Sequence, residues 1–186
     1  VPKDILYADE TVVTLFLAVF SVGIGIGSLL CNHLLKGKVT GSYAAPAALG
    51  MAFFTLLLYG VTVIFQPTQT ESLQSITSFF QYIPQWGILF SLLMVSVCGG
   101  VYIVPLYTLM QARTAPQECA RIIAANNILN ALFMVLSALF TLALLSLHWT
   151  VTEVFLLTGL INIPIAFLVH KIVRIEQAKR KEQQNA

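Results

Sequence analysis

Charge is scarce in this chain of 186 residues: 10% are charged and 58% hydrophobic, where a soluble domain carries roughly a quarter charged residues. That balance excludes a soluble fold. Ten Lys and Arg against eight Asp and Glu leave a net charge of +2, so nothing asks for nucleic acid or another polyanion as a partner. Cysteine is equally sparse. Cys31, Cys98 and Cys119 form no CxxC pair and share no spacing with a histidine, so neither a disulfide framework nor a zinc site is indicated. Catalytic motifs are missing as well. There is no GxxxxGK[ST], since Asn32 stands where the glycine before Gly37-Lys38 would fall, and HExxH and GxSxG are absent. His148 and Glu153 make an HxxxxE, which departs from the HxxxxD of glycerolipid acyltransferases, and His33 has Lys38 at the equivalent place; both histidines read as interfacial. No catalytic residue, metal site or cofactor is assigned, and the chain is not read as an enzyme. No Met or signal-peptide pattern precedes the first apolar run, so a processed start or a longer parent chain is expected.

Long uncharged runs are what the sequence does have. About 20 apolar residues at 1.5 Å rise cross the hydrocarbon core, and five such runs are present: about 11–35, 44–65, 86–110, 122–147 and 151–169. None contains Lys, Arg or Asp, and Glu153 sits at the very start of the last. No Asp, Glu or His is buried as a proton relay. β-Barrel strands would show short alternating segments instead. The expected fold is an all-α integral membrane domain over residues 1–173 with a tail from 174 to 186, read as solvated and partly disordered. Positive charge is retained on the cytoplasmic side. Lys36, Lys38, Arg113, Arg121, Lys171, Arg174, Lys179, Arg180 and Lys181 all fall on one side and only Lys3 on the other, which places the N-terminus outside and the C-terminus in the cytoplasm. Between runs two and three, Leu73, Ile76, Phe79, Phe80 and Ile83 recur at helical spacing, as either a short interfacial helix or a loop packed on helix ends.

Helices in lipid associate through small residues and side-chain hydrogen bonds, so polarity reveals faces. In the first run Thr14, Ala18, Ser21, Gly25, Ser28 and Asn32 fall within about 80° of one another. Gly23 and Gly27 lie opposite them as a GxxxG pair suited to close packing. In the fourth run Asn126, Asn130, Met134, Ser137 and Thr141 share an arc, with Asn127 beside it and Arg121 at the mouth. Each buried amide needs a partner, either a neighbouring helix or water and substrate in a cavity. The third run reads CGGVYIVPLY, where Gly99, Gly100 and Pro105 mark a hinge or a plain kink, and Tyr102 joins the cavity candidates. Runs two and five show fewer polar groups and are expected to be outer helices.

GIGIGSLLCNHLLKGKV from Gly23, CGGVYIVPLYTLMQ from Cys98 and ARIIAANNILNALFMV from Ala120 resemble the C-terminal half of a major facilitator superfamily transporter, most of all the lysophospholipid transporter group, some members of which are fused to an acyltransferase and acyl-carrier-protein synthetase. The resemblance spans nearly the whole chain. It implies that the five runs are the family's eighth to twelfth helices, that the eighth, tenth and eleventh line a central cavity, and that a missing N-terminal half completes it. The loop signature G-x-x-x-D-R-x-G-R-R departs here, with Cys31 and Asn32 in place of Asp and Arg. The implied function is lysophospholipid flipping across the inner membrane of a bacterium by alternating access. Export of a drug or small metabolite, or service as a membrane anchor for a lipid acyltransferase, are the alternatives. The implied partners are membrane lipids, the other half of the transporter and an acyltransferase.

Overall fold

The computed structural model describes residues 10–35, 41–64 and 83–185. They form five helices: α1 (Glu10–Leu35), α2 (Ala44–Ile64), α3 (Ile83–Arg113), α4 (Cys119–Ser146) and α5 (Val151–Asn185). All five are long and apolar enough to cross a membrane, and no strand occurs among the described residues. Lys36, Lys38 and the periodic stretch from Leu73 lie outside them, except Ile83, which opens α3.

Four helices pack side by side in the order α1, α3, α2, α5. Small residues set their spacing, as expected where lipid supplies no hydrophobic drive. Gly23 of α1 faces Ser96 and the Leu93 carbonyl of α3; Gly27 faces the Val97 carbonyl and Gly100. These pairs advance together along both chains, so α1 and α3 run parallel. Gly50 of α2 abuts the Cys98 sulfur and Gly87 of α3 abuts Val61, which makes α2 antiparallel to α3. Gly159 of α5 meets Leu56 of α2. The Ala44, Ala45, Ala47, Ala48 and Ala52 side of α2 is buried. The small size of these alanines lets α3 and α5 close on α2 from two sides, while Leu49, Phe53 and Leu57 remain exposed on it.

α4 stands apart from this layer. No residue of it is buried, and it packs only lightly, against α5. α5 continues to Asn185, so the segment from Arg174, expected to be partly disordered, carries on as helix. Its Glu, Gln, Lys, Arg and Ala are strong helix formers. Helix geometry gives α5 a length of about 50 Å against a hydrocarbon core of about 30 Å, so its last turns project beyond the membrane.

The α4–α5 turn carries its own end signals. His148 has a φ of 65°. Its N–H donates to the Leu145 carbonyl, and the Trp149 N–H donates to the Leu144 carbonyl, the Schellman arrangement that usually places glycine at the left-handed position. The next helix opens with a capping box: the Thr150 N–H and hydroxyl donate to Glu153 Oε2 at 2.7 and 3.0 Å, and the Glu153 N–H donates to Thr150 Oγ1 at 3.3 Å. The HxxxxE pattern thus belongs to a helix stop and a helix start. Replacing His148 with glycine removes a left-handed penalty of about 1 kcal/mol, so the variant is expected to melt at or above the wild-type temperature in detergent.

Candidate functional site

A side-chain hydrogen-bond cluster joining two helices lies where α3 ends and α4 begins. Asn126 Nδ2 donates to the Tyr107 phenolic oxygen at 2.8 Å, and Asn130 Nδ2 donates to the same oxygen at 3.1 Å. The two asparagines sit one helical turn apart, so both amides converge on a single acceptor. Asn126 is half-buried and Asn130 exposed. Each amide also carries a carbonyl oxygen that can accept, and the phenol an O–H that can donate. Such a cluster can bind a polar head by hydrogen bonding.

Farther along the same arc, Ser137 and Thr141 line a cleft of about 290 Å³ between α4 and α5, facing Thr158, Asn162 and the apolar Leu157 and Ile161. The polar arc of α4 therefore points toward the rest of the bundle along its length, although nothing seals it. Asn127, beside the arc, is exposed.

The remaining expected cavity residues are not brought to this cluster. Arg121 is exposed in the first turn of α4, and nine residues of helix place it about 180° round from Asn130. Tyr102 is half-buried on α3, about 140° round from Tyr107. Ser21 is exposed and Ser28 half-buried on α1; their hydroxyls donate to the Leu17 and Ile24 carbonyls at 2.8 and 2.9 Å. A serine bonded to its own helix can face lipid without a foreign partner. Asn32 falls in the last turn of α1, and its side chain is outside the described residues. α1 and α4 form no packed interface with each other.

Gly23, Gly27 and Gly100 form the α1–α3 contact, whereas a Cβ on Gly99 would meet nothing within 4 Å. α3 runs unbroken through Pro105, which is fully buried.

Tyr107 was not singled out by sequence reasoning, but connection length identifies it. α3 and α4 are joined by the five residues 114–118, so equal counts from the turn lie at equal depth. Tyr107 is six residues before Arg113 and Asn126 seven after Cys119, depths of about 9 and 10 Å. Tyr102 lies almost twice as deep.

Charge and aromatic residues divide the two ends. Gly41, just before α2, packs near Val173 of α5 and Leu109 of α3, so the ends bearing Arg113, Lys171 and Arg174 lie together, with Arg121 across the short turn. At the opposite end Trp86 and Trp149 are exposed, and no Lys or Arg occurs there among the described residues.

Fold and site together define an all-helical, multi-pass membrane protein. Compared with protein-family models, with curated proteins and with solved structures, the chain matches none.

Proposed function

We propose that the chain forms the cavity-lining part of a secondary transporter, the C-terminal half of a major facilitator superfamily member, which flips lysophospholipid between leaflets by alternating access. The observation that carries this reading is α4, a membrane-length helix with no buried residue that holds two amides and faces an unsealed gap. A polar face left in hydrocarbon costs several kcal/mol. A substrate head and the other half of the transporter would both meet it. The apolar walls of the α4–α5 cleft suit an acyl chain, and Arg121 at the mouth would attract a phosphate approaching from the membrane surface.

The basic end of the bundle is read as cytoplasmic and the tryptophan end as external, in the inner membrane of a bacterium. This gives a direct test of orientation. Cysteines placed at Lys38 or Thr114 should react with an impermeant reagent only in broken cells, whereas one at Ser75 should react in intact cells; labelling of Thr114 in intact cells would reverse the topology. Function is tested by uptake of labelled lysophospholipid in spheroplasts that lack their own transporter. Expression of the full-length protein should restore uptake, and failure to do so at normal membrane abundance would count against the substrate.

A further inference from the structure

α4 is joined to α3 by the five residues 114–118 and to α5 by the turn at 147–150. Its C-terminal end is tied to α5 by the Schellman turn and the capping box. Its N-terminal half is tied to α3 by the Tyr107 oxygen. Between these points the hydroxyls of α4 do not reach across: Ser137 and Ser146 donate to the Met134 and Ala143 carbonyls of their own helix at 2.9 and 2.7 Å. The cleft against α5 opens in the same interval. α4 is thus a strut tied at both ends by short turns, and its N-terminal half is drawn against α3 by one phenol.

We propose that Tyr107 is a latch that fixes α4 against α3 and positions Asn126 and Asn130. Two amides one turn apart, bonded to one oxygen, hold rotation as well as separation, because turning α4 about its axis or sliding it along would break one of the two bonds. Removing that oxygen removes both bonds at once while leaving the ring to pack. α4 then rotates and tilts away from α3 between the turns at 114–118 and 147–150. The coupling to ligand rests on the transporter reading above. A polar head entering between α3 and α4 competes for the same two N–H groups, so head binding and release of the latch are one event.

The test is the distance between spin labels on Gln111 of α3 and Ile128 of α4, both exposed, in the full-length protein reconstituted in phospholipid vesicles. Without ligand, Tyr107→Phe should raise the population of longer distances roughly eightfold, the equivalent of two interhelical bonds at about 0.6 kcal/mol each. The double variant Asn126→Leu/Asn130→Leu should give the same distribution, and it reads the latch from the other side if Tyr107→Phe does not fold. A wild-type distribution in Tyr107→Phe, or a shift in the double variant alone, overturns the proposal. Adding lysophosphatidylethanolamine to the wild type should move its distribution toward that of Tyr107→Phe. If the lipid moves nothing while Tyr107→Phe still opens α4, the latch stands and the transporter reading fails.

Discussion

Replacing Gly27 with alanine is expected to destabilise the bundle by about 1–3 kcal/mol, as overpacking of a close contact does, while the same change at Gly99 should be neutral or stabilising by up to about 1 kcal/mol. The two glycines differ in what a methyl would meet. At Gly27 it would run into the Val97 carbonyl and come within 3.1 Å of the Gly100 Cα; at Gly100 it would come 2.6 Å from the Ile24 carbonyl oxygen and 2.9 Å from the Ser28 nitrogen. These are backbone atoms of regular helices and cannot turn aside as a flexible side chain would. α1 and α3 must then separate, and the loss spreads along their whole parallel contact, including Ser96, which is buried on α3 against Gly23. At Gly99 the space is open and alanine only adds helix propensity. Thermal unfolding in detergent micelles checks both variants side by side. Equal melting temperatures for Gly27→Ala and Gly99→Ala would show that the close approach is not what holds α1.

Asn130→Leu is expected to leave membrane abundance normal and to lower lysophospholipid transport about tenfold, the equivalent of about 1.4 kcal/mol for a lost polar contact. Leucine keeps the branched outline of asparagine but cannot hydrogen-bond. Asn130 is exposed and its amide makes a single bond, to Tyr107, so folding loses only about 0.6 kcal/mol, the average for an interhelical bond in a membrane. A residue that binds substrate behaves differently from one that only joins helices. In the second case abundance and melting temperature fall together while the rate per molecule stays normal. Uptake normalised to immunoblotted protein separates the two, and normal rates per molecule for both Asn126→Leu and Asn130→Leu would move the site elsewhere.

Much of this architecture is legible in the sequence because lipid imposes few solutions. Uncharged runs of spanning length can only be helices, and the boundaries of α1, α2 and α4 fall within a few residues of those the composition marks. The Gly23 and Gly27 pair likewise lies on the face that meets α3. What is not legible depends on neighbours that periodicity does not supply. The alanine contact face of α2 is not legible because hydropathy does not distinguish a small apolar residue from a large one, although size decides the packing. The bonds of Ser21 and Ser28 are not legible because a wheel shows which way a hydroxyl points but not that its own helix can accept it. Tyr107 is not legible from the pattern of α3 alone, because only the short turn between α3 and α4 fixes which depths can pair. α5 extends past Arg174 because local propensity continues where hydropathy stops.

Transbilayer movement itself is the decisive measurement. Purified full-length protein is reconstituted in vesicles, a lysophospholipid with a fluorescent acyl chain is added to the outer leaflet, and the fraction protected from a membrane-impermeant quencher is followed in time. A transporter of this class gives protection that rises faster than in protein-free vesicles and that slows about tenfold in Asn130→Leu. Protection at the protein-free rate, from protein that is folded and inserted by the labelling criteria above, would contradict lysophospholipid flipping as the function of these helices.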